Sequence, residues 1–132
     1  MIISLIRPQK RSIFGIYHPV GIKKIFQLRV GLSALKCHKK AHNFLDTPSD
    51  WCTCLASPED TSHFLLHCSS YSQIRSKLFD TVRSILNKYN LTDLLNDSQV
   101  LLYGHSQVAQ NDNRSIILAT ADFVMETKRL PL

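Results

Sequence analysis

The sequence predicts an all-α fold, a small domain of about four to six helices around one irregular loop. Three observations carry that reading. Apolar residues recur at three- and four-residue steps over long stretches. No alternating apolar–polar run exceeds a few residues, so no strand is expected. Three of the four cysteines fall inside one segment, Cys52 to Cys68, that interrupts the helical pattern. A chain of 132 residues with 44% hydrophobic content can bury one core, which argues against a disordered or collagen-like polymer.

Residues 1–18 show no firm period and are expected to form an extended basic lead-in to a single helical domain over 19–130. Pro19 suits a first helical turn, where its missing N–H would be unpaired anyway. From Val20 to about Leu35 the residues Ile22, Ile25, Phe26, Leu28, Leu32 and Leu35 suggest one apolar face, with Lys23, Lys24 and Arg29 largely off it. Gly31 should bend or end that helix. Asp46-Thr47-Pro48-Ser49-Asp50 is a turn cluster. Ser57 to Thr61 is a second turn leading into a short helix over His63–Cys68, with Asp60 or Thr61 as N-cap. Tyr71, Ile74, Leu78, Val82, Ile85, Leu86 and Tyr89 form the strongest helical period in the chain. Leu94 to Leu102 suggests one or two short helices closed by Gly104. A last helix, capped by Asp112 or Asn113, should run through Phe123 and Met125 (core positions) to Arg129, where Pro131 stops it.

The irregular centre carries the chemistry. Cys52-x-Cys54 is followed by eight residues, His63, four residues and Cys68. Thiolate and imidazole are the donors zinc prefers, and four of them close a structural, tetrahedral site with no open position. The expectation is therefore Zn²⁺ held by Cys52, Cys54, His63 and Cys68 in a knuckle over 51–69. On an ideal helix His63 and His67 lie about 40° apart, whereas His63 and Cys68 lie about 140° apart. Cys68 is favoured as the stronger ligand, which requires the helix to end or distort there. Cys37 has no cysteine mate and reads as a half-buried helix-end residue. His38 and His42 fit a basic patch as well as a metal edge. Trp51 and Tyr103 could stack on bases, though a Trp beside such a site more often packs over it.

Charge is uneven. Residues 1–45 hold nine Lys/Arg and no Asp/Glu, while 46–132 hold seven and ten, within a net charge of +6. A basic first third is the footprint of a polyanion-binding chain. It singles out Arg7, Lys10, Arg11, Lys23, Lys24, Arg29, Lys36, Lys39 and Lys40 for contacts with RNA or DNA. No apolar run approaches a bilayer span, and the apolar start lacks a basic n-region, so no membrane partner is expected. The expected location is intracellular, in nucleus or cytoplasm.

These residues resemble a known family. The segment Gly21-Ile22-Lys23-Lys24-Ile25-Phe26-Gln27-Leu28-Arg29-Val30-Gly31-Leu32-Ser33 is similar to the "LR-x-G-x-S" helix near the end of non-LTR (LINE-type) retrotransposon reverse transcriptases. His42 to Thr47, Cys52-x-Cys54 and the segment Glu59 to Cys68, similar to that family's "E-x-T-x-H-x-L-x-x-C", continue the likeness, as do Tyr71, Arg75, Leu78 and Phe79. The resemblance implies the C-terminal zinc-knuckle region of such a polyprotein. That part helps grip RNA and target DNA, with Cys52, Cys54, His63 and Cys68 matching the zinc ligands. The chain has no "Y-x-D-D" and no carboxylate cluster able to hold two Mg²⁺ ions. The expectation is thus a fragment without the polymerase core, not an enzyme itself, whose partners are nucleic acid and the rest of the polyprotein where that is present. Three other readings stand beside it. They are a zinc-stabilised helical protein-interaction domain, a non-functional transposon-derived fragment, and a cysteine hydrolase using Cys37 or Cys68, for which nothing signals the third member.

Overall fold

The computed structural model describes residues 19–130. The lead-in expected over 1–18 (with Arg7, Lys10 and Arg11) and the stop at Pro131 lie outside these described residues. Helices dominate, and no strand forms among the described residues. The α-helices are α1 (Pro19–Val30), α2 (Lys36–Ala41), α3 (Ser72–Asn87), α4 (Ser98–Tyr103) and α5 (Gln110–Thr127). A π-turn at His63–His67 and 3₁₀ turns at Ser69–Tyr71 and Thr92–Asn96 join them.

The predicted period of α3 is the buried one: Leu78, Val82 and Leu86 face inward, and α3 packs along α5. α5 also packs against α1 and α4. The shared core contains Phe64, Phe123, Ile25, Leu35, Leu101, Leu102, Ile116 and Val124. Met125, expected beside Phe123 in that core, is only half-buried.

α1 is rotated from the expected face. It buries Gly21, Lys24, Ile25 and Leu28, spaced i, i+3, i+4, i+7. Ile22, Phe26, Val30 and Leu32 are exposed, with Phe26 at 60%. Lys24 reaches inward because its ammonium donates to the Leu130 carbonyl at 2.6 Å, so a polar group pays for its own burial there. The helix ends at Gly31, whose φ of +74° is the left-handed conformation glycine adopts most readily. The Leu32 N–H then returns to the Gln27 carbonyl at 2.9 Å, the long bond of a Schellman motif.

α5 starts two to three residues before the expected caps, with Ala109 at the N-cap. The two residues named for that role act elsewhere. Asp112 accepts from the Tyr89 hydroxyl at 2.5 Å and from Lys88. Asn113 accepts from the His105 N–H and donates to the His105 and Val108 carbonyls, which folds the polar loop onto the helix. Gly104, with φ +78°, ends α4 where any Cβ would lie 2.5 Å from the Asn113 side chain. At its other end α5 stops at Thr127, two residues before the expected Arg129, on Lys128 in the left-handed conformation (φ +54°).

Candidate metal centre

A short hairpin-like loop presents the first two cysteines. The Cys52 N–H donates to the Ser57 carbonyl at 2.9 Å, the Leu55 N–H to the Cys52 carbonyl at 2.9 Å, and the Glu59 N–H to the Asp50 carbonyl at 2.7 Å. Trp51 and Pro58 form an isolated antiparallel bridge across it. Leu55 carries the turn with φ +69°. Trp51 remains 45% exposed.

The second pair comes from the next turn of helix. Asp60 accepts the His63 N–H on its carboxylate at 2.7 Å, one of the two caps expected. The α-helical angle between His63 and Cys68 is then corrected by the π-turn. The Cys68 N–H bonds to the His63 carbonyl, five residues back, at 2.8 Å. The widened turn swings Cys68 toward the side of His63, and its extended backbone (φ −60°, ψ 122°) ends the helix. His67 is left exposed and outside the cluster.

The ligand atoms of Cys52, Cys54, His63 and Cys68 all lie within 4.8 Å of one another, a group that can hold a metal ion. Cys52 and Cys68 are buried, with sulfurs 3.8 Å apart, and the Cys54 sulfur is 3.3 Å from His63 Nε2. The other ring nitrogen, Nδ1, is 2.8 Å from Ser57 Oγ, which donates onward to the Pro58 carbonyl at 3.1 Å. With the hydroxyl on the Pro58 carbonyl, the matching tautomer carries its proton on Nδ1 and turns the Nε2 lone pair toward the sulfurs. Burial pushes the Cys52 thiol up to about 11. Cys54 is shifted down, chiefly by the Ala56 backbone N–H.

Two residues that the sequence reading named only for their family likeness support the site. Arg75 is 5% exposed and donates to the carbonyls of Leu65 (2.9 Å), Cys68 (2.8 Å) and Phe64 (3.0 Å). It satisfies the orphan carbonyls where the π-turn ends, and it stacks 5.5 Å over Phe123. The signal was present: Arg75 lies on the same stripe as Leu78 and Val82, a charge at a core position. Glu59, also buried, clamps the loop to the rest of the chain. Its carboxylate takes a fork from Arg129 (Nη2 at 2.5 Å, Nε at 2.8 Å) and the Lys36 N–H at 2.8 Å. Its carbonyl takes the Cys37 N–H at 3.1 Å.

Comparison with known proteins returns no matching family model, no matching curated protein and no matching solved structure. The site is therefore read from its own geometry.

Cys37 stands outside the cluster, half-buried, with its thiol on the Asp50 carbonyl at 3.9 Å. Burial and then Asp50, Asp60 and Glu59 raise its pKa. His38 and His42 belong to no group of three or more potential metal ligands among the described residues. His38 meets the Ser33 N–H (3.2 Å) and hydroxyl (2.7 Å) through Nδ1, and Thr61 Oγ1 at 3.2 Å through Nε2. It is a latch between the α1–α2 turn and the helix that carries His63.

The basic residues divide. Lys23 is exposed on α1. Lys24 is buried, which removes it from the surface the charge pattern assigned to it. Arg29 is half-buried, donates to the Leu102 carbonyl at 2.8 Å and stacks 4.6 Å over Tyr103. Lys39 pairs with Asp46 at 2.9 Å. Lys36 and Lys40 donate to the carbonyls of Trp51 (3.1 Å) and Pro48 (3.2 Å), neutral partners that leave their charge uncompensated. No helix among the described residues is long and apolar enough to cross a membrane.

Proposed function

We propose that the protein is a zinc-stabilised nucleic-acid-binding module, related to the C-terminal region of LINE-type reverse transcriptases that its motifs resemble. The observation that carries the metal is the donor geometry. Two thiolates bound at about 2.3 Å to one tetrahedral zinc stand about 3.8 Å apart, and the Cys52 and Cys68 sulfurs are 3.8 Å apart. Three sulfurs and one imidazole, oriented by Ser57, are a donor set suited to zinc and leave no position for substrate. Zinc would supply the positive charge that a buried Cys52 thiolate lacks. Exposed Lys23 and Lys40, with Lys36 on the Trp51 carbonyl of this loop, support polyanion binding. The proposed role is binding, not catalysis: the sequence holds no paired-aspartate polymerase motif, and the raised Cys37 pKa is opposite to what a nucleophile needs.

Metal analysis of purified protein tests the first half. The reading expects one zinc per chain, lost in Cys52→Ser and in Cys68→Ser and retained in His67→Ala. Titration with single-stranded RNA and duplex DNA at two salt concentrations tests the second, with affinity expected to fall as salt rises. Absence of binding at low salt rejects it.

One observation favours a second reading, a protein-interaction domain. α1 turns Ile22, Phe26 and Val30 outward at 38%, 60% and 48% exposure, a stripe at i, i+4, i+8. Salt-insensitive capture of a protein partner, lost in Phe26→Asp, would favour it over nucleic acid.

A further inference from the structure

We propose that the pocket between α2, the loop at 46–49 and the turn at Lys128–Arg129 seats a backbone phosphate of the bound nucleic acid. The proposal rests on the nucleic-acid reading above and gives it a place. The pocket has a volume of about 550 Å³, and its lining includes Lys36, Lys39, Asp46, Ser49, Lys128 and Arg129. Lys36 and Lys39 belong to the basic first third. Lys128 and Arg129 come from the far end of the chain and meet them only through the fold.

The internal pairing leaves the pocket positive. Asp46 compensates Lys39, and buried Glu59 compensates Arg129. Lys36 has only the neutral Trp51 carbonyl, and the Lys128 ammonium has no partner among the described residues. Two cations therefore remain uncompensated around a recess that already holds an arginine in a fixed orientation. The two lysines act as point charges toward a phosphate, while Arg129 lines the recess with its Nε and Nη2 already taken by Glu59. Lys128 also occupies a left-handed helix-end position that usually falls to glycine, so an ammonium stands where a bare backbone would serve the turn. Outside the pocket the positive edge continues to Lys40, beside Pro48 on the same loop. A run of phosphates along a strand fits this extension better than a single small anion.

The same residues tie the pocket to the metal loop. Glu59, placed between Cys54 and His63 in sequence, orients Arg129 and accepts the Lys36 N–H. Ordering of the loop thus sets two members of the pocket.

The test compares Lys36→Gln/Lys128→Gln with Lys77→Gln/Arg83→Gln, which removes the same charge from the exposed side of α3. Binding is measured by fluorescence anisotropy with a labelled single-stranded RNA, a labelled duplex DNA and a phosphoserine peptide, in the metal-loaded full chain. The pocket variant should lose about tenfold or more in affinity for nucleic acid at low salt. Its slope of log K against log salt should fall by about 1.8 on duplex DNA and about 1.4 on single-stranded RNA, for two lost cation–phosphate contacts. The α3 variant should lose less than about threefold. A single Lys128→Glu variant with native helical circular dichroism, which also changes the charge by two, should fall by a comparable amount, which separates charge from folding. Equal losses in both double variants, or intact binding in the pocket variant, would overturn the pocket and leave the nucleic-acid reading standing. A wild-type chain that binds neither nucleic acid would overturn both, and capture of the phosphopeptide alone would overturn the choice of partner.

Discussion

Removing the Arg129 guanidinium should destabilise the domain by about 2–3 kcal/mol. Glu59 has a side chain only 4% exposed, and Arg129 is 24% exposed, so the pair lies between surface and interior. Breaking a fully buried pair costs about 3–5 kcal/mol because one charge is left without a partner. An exposed pair contributes about 0–1 kcal/mol. The forked geometry and near-complete burial of the carboxylate, set against the partly exposed arginine, place this one between the two, at about 2–3 kcal/mol. In Arg129→Met, Glu59 would keep only the Lys36 N–H, and the Ala34 carbonyl would lose its donor, now 3.1 Å away. For a domain of this size, each kcal/mol is worth about 3–5 °C, so Tm should drop by about 6–15 °C. Thermal unfolding followed by circular dichroism, at one protein and metal concentration, measures it. The variant Glu59→Gln/Arg129→Met should recover about half of the loss, because the stranded charge is gone. A drop of under about 2 °C in Arg129→Met, or no recovery in the double variant, refutes the account of Glu59 as the clamp of the metal loop.

Three further outcomes follow from the geometry. Gly31→Ala and Gly104→Ala both force a positive φ on alanine, but Gly31 faces open space whereas a Cβ at Gly104 meets Asn113. Urea unfolding should give about 1 kcal/mol for the first and at least twice that for the second; equal values would refute the packing argument. Ser57→Ala removes the acceptor for His63 Nδ1, and chelator competition should show zinc affinity weakened by about 10–100-fold with stoichiometry retained. His38 is held below its ordinary value of 6.5, first by burial and then by His42. Its folded state therefore favours the neutral ring, so its contribution to stability is complete above pH 6.5 and is lost as pH falls through the lower folded pKa. An NMR titration should find the ring changing charge below pH 6.5, and His38→Gln should flatten stability in that range relative to wild type; a midpoint at or above 6.5 contradicts it.

The parts of the site that were legible in sequence are those made by neighbours in the chain. Cys52, Cys54, His63 and Cys68 lie in one segment, and the two turns between them, at Ser57 and Asp60, are local hydrogen-bond events. Even the conflict between His63 and Cys68 was visible from helical angles, although only the structure showed that a π-turn resolves it. The period of α3 was legible because its apolar residues form one strong stripe, buried chiefly against α5. α1 was misread because both of its sides carry apolar residues. Periodicity then cannot choose a face, and the choice fell to α5, which buries Ile25 and Leu28 and turns Phe26 outward.

The sequence by itself determined the helical class, the donor set of the candidate metal centre and the basic bias of the first third. Each depends on residue type and on spacings of a few positions, which backbone geometry converts directly into faces and turns. The tertiary structure alone decided which of the basic residues face solvent, that Lys24 is an internal donor, that Arg75 closes the π-turn, and that Glu59 meets Arg129 across 70 positions of chain. Those contacts join segments whose separation carries no periodic signal. They are selected by the requirement that every buried charge and carbonyl find a partner once the helices have packed.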